Sequence, residues 1–211
     1  MAVIACVIAH PDDEAFGPGG TIAKLSKDNQ IYIVCCTDGD SGAGLKNIRH
    51  KELLASAKVL GVKQVFFLNF VDGELSNNKY VLLVQSVKSV LDKIRPETVI
   101  TFHPNGVSGH LDHIAVTSVV NFLFPKSNYL KKIMYFCMRS VERNLIPDYF
   151  VYMPPGVPES QIDEVVDTSD VWETKIRAIH CHKSQQHDID NILSLFANLP
   201  RQEHFLVKIK K

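Results

Sequence analysis

The densest chemistry in the chain is His10-Pro11-Asp12-Asp13-Glu14, where three carboxylates crowd within four residues of an imidazole. His10 and Asp13 are three residues apart, and Pro11 restricts the backbone between them, so both side chains can be aimed at one point. A second group follows about a hundred residues later: His110 and His113, again three apart, with Asp112 beside the second. Two histidines and one carboxylate are a recurrent ligand set for catalytic zinc, which keeps a fourth position open for water. Such a site lowers the pKa of water to about 7 and polarises a carbonyl oxygen. A second carboxylate next to it is a natural general base, and Asp12 fits that role if Asp13 is the ligand.

These groups need elements that bring them together. Ala2 to Ala9 (AVIACVIA) is a continuous Val- and Ile-bearing apolar run, the mark of a strand buried on both faces of a parallel sheet. Gly19-Gly20-Thr21 opens a helix that ends near Asn29, and Ile31 to Cys36 is the second strand, completing a βαβ unit. Leu45 to Leu60 is helical, with Leu53, Ala57 and Leu60 on one face and Gly61 as its stop. Val65 to Leu68 is a third strand. Lys79 to Ile94 carries the stripe Leu83, Val87, Val90, Leu91 and Ile94 and is ended by Arg95-Pro96. Thr98 to Phe102 is a fourth strand, followed by a helix from near His113. Ile133 to Met138 and Asp148 to Met153 read as further strands, Met153 to Pro158 as a loop, and Val171 to His182 as a helix. The alternation predicts an α/β fold: a Rossmann-like sandwich with a mostly parallel sheet, in a single domain spanning residues 1–211.

In open parallel sheets, ligands bind outside the carboxyl ends of the strands. The segments after the four predicted strands are His10 to Glu14, Thr37 to Gly42, Asn69 to Glu74, and His103 running on to His113. All are enriched in Asp, His and Gly, and all fall on that edge. Plainer readings stand beside this one. Asp12-Asp13-Glu14 also suits the first turn of a helix, where acidic residues meet the positive end of the dipole. Asp38, Asp40, Arg49 and Glu52 are equally compatible with solvated positions. Gly17-Pro18-Gly19-Gly20 lacks the spacing of either common phosphate loop and reads as a turn and helix start.

Composition removes other classes. Lys plus Arg and Asp plus Glu number 23 each, so the nucleic-acid binder's basic excess is missing, and the one basic run is Lys208 to Lys211. No apolar stretch reaches the roughly 20 residues that span a bilayer, and the apolar start is too short for a signal peptide. A cytoplasmic protein is expected, without nucleic-acid partner or integral membrane segment. Cys6, Cys35, Cys36, Cys137 and Cys181 form no CxxC pair and read as buried free thiols.

The motifs Ala9-His10-Pro11-Asp12-Asp13-Glu14, Gly109-His110-Leu111-Asp112-His113 and His182-Lys183-Ser184-Gln185 resemble the LmbE-like (PIG-L) superfamily of zinc-dependent N-acetylglucosaminyl de-N-acetylases. Arg49 to Leu53, Leu60-Gly61-Val62 and Val71 to Leu75 are similar as well. The resemblance implies that His10, Asp13 and His113 hold the metal and that Asp12 is the general base. It implies that His110 stabilises the oxyanion or acts as general acid. It further implies that Arg49 and Asp72 contact sugar hydroxyls and that Asp112 supports the neighbouring histidines from behind. Two departures stand out: Leu111 where many members have Pro, and Asp40 where a Glu is common. The implied reaction removes the N-acetyl group from an N-acetylglucosamine-type conjugate, giving acetate and an amine. Zinc is the expected cofactor, with ferrous or another divalent ion as the alternative.

Two rivals accompany that expectation. The same ligand set serves ferrous oxygenases, though the α/β pattern is not that of a β-rich oxygenase. A non-catalytic sugar- or metal-binding protein is the other, and Asp12 and His110 beside the metal argue against it. The partner expected is a small amino-sugar conjugate whose aglycone end is shaped by the weakly patterned region from Asn144 to Val171. Apolar segments such as Val119 to Phe124 leave homo-oligomerisation open.

Overall fold

The computed structural model of the chain describes residues 1–146 and 152–210. Seven strands form one sheet: β1 (Val3–Ile8), β2 (Gln30–Thr37), β3 (Gln64–Phe70), β4 (Thr98–Phe102), β5 (Lys132–Cys137), β6 (Glu164–Asp167) and β7 (Gln202–Ile209), in the order β3-β2-β1-β4-β5-β7-β6. β1 to β5 pair in parallel, while β7 runs antiparallel to both β5 and β6. The mostly parallel α/β sheet is therefore as expected. Ile4 to Ile8 are all buried, because β1 sits mid-sheet with helices over both faces.

The helices are α1 (Asp13–Phe16), α2 (Gly19–Leu25), α3 (Lys46–Val59), α4 (Tyr80–Ile94), α5 (Leu111–Leu123), α6 (Ser140–Arg143), α7 (Trp172–Ile179) and α8 (Gln186–Phe196). α4 packs beside α5, and α7 packs against α1, α2 and α3. The stripe read on α4 is the buried one: Leu83, Val87 and Leu91 are at most 1% exposed, and each such burial stabilises by about 1.5–3 kcal/mol. Arg95 closes α4 in a left-handed conformation with φ 48°, and Pro96 prevents its resumption. Glu14 and Asp13 do occupy a first helical turn, that of α1, so the acidic cluster opens a helix as well as lining the site.

β6, α8 and β7 were not anticipated. Lys208 and Ile209 of the basic tail belong to β7 rather than to a loose end. The strand expected over Asp148 to Met153 falls largely on residues 147–151, which lie outside the described residues. The five cysteines are unpaired; Cys6, Cys35, Cys36 and Cys137 are buried and Cys181 is partly so. Among the described residues no helix is long and apolar enough to cross a membrane.

Candidate active site

The chain runs β1 to β3 outward in one direction and then returns to place β4 on the other side of β1. Such a switch in strand order opens a crevice at the carboxyl ends of the two central strands. His10 to Asp13 leave β1 at that crevice, and His110 to His113 follow β4 into it. Sequence separation of a hundred residues is thus cancelled by strand adjacency.

Hydrogen bonds fix which nitrogen of each imidazole is free. His113 Nδ1 lies 2.9 Å from the Gly106 carbonyl, so it carries the proton and leaves Nε2 as a lone pair. The His113 ring is also stacked on Phe102, with centroids 3.9 Å apart. His10 Nε2 sits between Asp72 Oδ1 at 2.9 Å and Asp112 Oδ2 at 3.1 Å, which places its proton there and turns Nδ1 inward. The two inward nitrogens are 3.3 Å apart. Asp13 completes the group, with Oδ1 3.2 Å from His113 Nε2 and Oδ2 3.6 Å from His10 Nδ1. Asp13 is itself held by the backbone N–H groups of Ala9 and His10, at 3.1 and 2.6 Å.

Ligand atoms about 2.0–2.1 Å from a tetrahedral ion stand about 3.3–3.4 Å apart. The spacing of His10, Asp13 and His113 fits that edge length, and three acceptors facing one another need a cation between them. The electrostatics agree. Burial alone would lower the His10 pKa, but hydrogen bonds to Asp112 and Asp72 and the charge of Asp13 raise it to about 10. The cluster therefore draws positive charge to itself, as a proton if nothing else is there. Asp13, despite burial, is held below the usual carboxylate range by His113 and His10. The ring nitrogens of His10, His110 and His113 also lie within 4.8 Å of one another.

Asp12 stands beside this group in a strained conformation, φ 128°, ψ −28°. A non-glycine residue holds such angles only when its surroundings enforce them. Glu14 is one enforcer: its Oε2 accepts the Asp12 N–H at 3.1 Å. Glu14 is in turn fully buried and fixed by Ser56 Oγ at 2.5 Å and His182 Nε2 at 2.7 Å. That is the work of the His182 motif, for which the sequence reading had no role. Arg49 is the other enforcer. It is 6% exposed and donates to Pro11 O at 2.6 Å, Gly39 O at 2.7 Å and Asp12 Oδ2 at 2.7 Å, with Asp72 Oδ2 at 3.5 Å. Gly39, with φ 69°, makes room for it: a Cβ there would lie 2.8 Å from the guanidinium carbon. Burial pushes the Asp12 carboxyl up to about 7, against the pull of Arg49 and with the repulsion of Asp13.

His110 caps α5: its Nδ1 accepts the Asp112 N–H at 3.1 Å. The neutral ring then carries its proton on Nε2. Burial, and after it the charge of His10, lowers the His110 pKa, so at neutral pH the ring is a neutral donor. Asp112 does support a histidine, but a distant one. Its carboxylate binds His10, 102 residues away, and accepts the Gly73 and Leu75 N–H groups at 2.8 and 3.0 Å. Asp40 is occupied within its own loop, accepting the N–H groups of Gly42, Ala43 and Gly44.

These residues line a cleft of about 820 Å³ that includes His10, Asp12, Arg49, Asp72, His110 and His113. Leu145, Ile146 and Met153 contribute to its wall, from the region expected to shape the aglycone end. α8 adds Asp188, Asn191 and Ser194 to that wall, and Asn198 follows just after the helix. Sequence reasoning missed α8, although Ile189, Ile192, Leu193 and Phe196 repeat at helical spacing.

A family model described as GlcNAc-PI de-N-acetylase, PIG-L, matches residues 5–123. The chain belongs to the PIG-L family. The match contains the whole histidine and carboxylate cluster together with Arg49, and stops before the α8 wall. Among relatives of this PIG-L protein, the 1D-myo-inositol 2-acetamido-2-deoxy-alpha-D-glucopyranoside deacetylase of Saccharomonospora viridis is 28% identical over 228 residues, spanning 85% of this chain and 83% of that one. The diacetylchitobiose deacetylase of Thermococcus kodakarensis is 32% identical over 197 residues, spanning 86% and 69%. The structure of GalB, the 4-carboxy-2-hydroxymuconate hydratase of Pseudomonas putida KT2440, superposes with a TM-score of 0.71 at 18% identity, covering 100% of this chain and 98% of that one. Likeness at that identity concerns the PIG-L fold alone, so the chemistry must be argued from the site.

Proposed function

We propose that this PIG-L protein is a metal-dependent deacetylase that hydrolyses the N-acetyl group of an N-acetylglucosamine-type conjugate to acetate and a free amine. The observation that carries this reading is the inward convergence of His10 Nδ1, His113 Nε2 and Asp13 at 3.2 to 3.6 Å with the Asp12 carboxylate beside them. His10, Asp13 and His113 would hold a divalent cation, zinc by the chemistry of the donor set. When bound, it supplies Lewis-acid charge that polarises an amide carbonyl and acidifies water. Asp12 takes the proton from the attacking water, its orientation set by Arg49 and Glu14. His110, neutral with its proton on Nε2, donates to the oxygen on which negative charge develops. Protonated Asp12 then returns a proton toward the departing nitrogen. Asp72 and Arg49 edge the cleft where sugar hydroxyls would lie, and Asp112 keeps His10 in its metal-binding tautomer.

The test is acetate release from N-acetylglucosamine and its inositol, chitobiose and malate conjugates by protein reconstituted with zinc, then chelated, then reloaded. Release that is abolished by the chelator and restored by metal is expected. No release across the panel by protein shown to contain metal, or release indifferent to chelation, overturns the proposal and favours a binding protein.

A further inference from the structure

A second space adjoins the cleft. It is an apolar cavity of about 240 Å³ beneath α8, lined by Phe16, Phe136, Met138, Ile192, Leu195 and Phe196 among others, and it reaches Asp13 and His113. Phe16, Met138, Ile192 and Leu195 line both spaces, so cavity and cleft meet at the metal-binding triad, where a scissile amide must sit. The polar cleft suits a sugar. An acetyl methyl alone would leave most of the cavity empty: an apolar cavity of about 150 Å³ already admits benzene, a six-carbon ring. Nor does the wall present an unpaired charge. Lys175 is bonded to Glu203 at 2.6 Å and to the Gly17 carbonyl at 2.7 Å, and Glu142 is paired with Arg139 at 2.9 Å. Among the described residues, the one buried polar side-chain atom of the wall without a hydrogen bond is His204 Nε2, and burial keeps that ring neutral.

We infer that the cavity beneath α8 is an acyl pocket and that the enzyme removes linear N-acyl groups of about four to six carbons as well as acetyl. This rests on the deacetylase reading of the same site. The reaction balances as for acetyl: water oxygen bonds to the carbonyl carbon, the C–N bond breaks with its electron pair going to nitrogen, and the products are a carboxylate and an amine that has gained a proton.

The experiment compares kcat/KM for N-acetyl-, N-butyryl- and N-hexanoylglucosamine with zinc-loaded protein. Each methylene moved from water into the cavity is worth about fourfold, so butyryl and hexanoyl substrates should exceed acetyl progressively. Leu199→Trp narrows the cavity at a residue that lines it but not the cleft. It should remove the chain-length advantage and leave acetyl cleavage unchanged. Acetyl cleavage with hexanoyl turned over tenfold more slowly overturns the acyl pocket and leaves the deacetylase intact. Should the variant not fold, or should no amide be cleaved, binding of acetate and hexanoate to zinc-loaded wild type by calorimetry decides. Hexanoate binding at least tenfold tighter supports the pocket, and equal binding overturns it.

Discussion

Arg49 is the residue at which the geometry and the family resemblance make different demands. A sugar contact predicts that its loss raises KM. Its four bonds to Pro11, Gly39, Asp12 and Asp72 predict something else. The guanidinium stabilises the charged form of Asp12 across 2.7 Å, with charge centres about 4 Å apart; at an effective dielectric constant of about 20 that is roughly 4 kcal/mol. Since 1.36 kcal/mol is about one pKa unit, Arg49→Met should raise the Asp12 pKa by up to roughly three units, less whatever water in the vacated space screens. Asp12 must be ionised to accept a proton, so activity is lost as pH falls through its pKa, and a raised pKa moves that acid limb to higher pH. The expected displacement in kcat/KM is about one to three units, with about a tenfold loss per unit at any pH on the limb. A cation at the triad lowers the limb in wild type and variant alike, so the displacement is the quantity to read. Arg49→Lys, which keeps the charge, should return most of it, and circular dichroism with metal content establishes that both variants are folded and loaded. A limb that stays within half a unit while KM rises would refute the reasoning and restore the sugar contact as the role of Arg49.

Other perturbations follow from neighbouring contacts. Asp12→Asn should retain bound metal by elemental analysis while turnover falls about a hundredfold or more. Asp112→Ala removes the carboxylate that orients His10 and frees two backbone donors, so zinc affinity measured by chelator competition should fall about 10- to 100-fold. His182 is fully buried; burial lowers its pKa but contact with Glu14 raises it beyond the ordinary value. Because the folded pKa is the higher one, the stabilisation from charged His182 is fully present below pH about 6.5 and is lost as pH rises through the folded value. The stability deficit of His182→Gln in denaturant melts should therefore shrink as pH is raised through that window, and a deficit independent of pH would count against the charged pair.

What the sequence disclosed depended on how local each determinant is. β1 is legible because a strand covered on both faces must be apolar throughout, and Val3 to Ile8 is. α4 is legible because its stripe recurs with helical period. β7 escapes for the opposite reason. Glu203 and His204 look like surface residues, yet both are 2% exposed, and the partners that permit this, Lys175 for Glu203 and Glu142 for His204, lie far away in sequence. The spacing of His10 to Asp13 and of His110 to His113 was visible, since the members of each pair are three residues apart. Invisible were the couplings between loops: Arg49 closing on Asp12, Asp112 reaching back to His10, and Glu14 joined to His182. Residue types at those positions are shared by solvated helices, and only strand order brings them together.

The same contrast explains why the chemistry is easier to read than the substrate. Residues 5–123, which match the family model, contain every group in the histidine and carboxylate cluster. Much of the cavity lining and of the cleft wall comes from Phe136 onward, through β5, Leu145, Ile146, Met153 and α8, although Phe16, Phe102 and Val107 also line the cavity. A metal triad tolerates almost no displacement of its donors, so its motif is rigid in spacing and speaks through short strings. A wall only has to present the right polarity at the right distance, and many sequences do that. Asn191 and Asn198, which line the cleft, and Leu199, which lines the cavity, therefore form no string that spacing alone could single out. Discrimination among conjugates should accordingly respond to substitutions in α8 and the residues after it, while the bond broken should depend on the loops after β1 and β4.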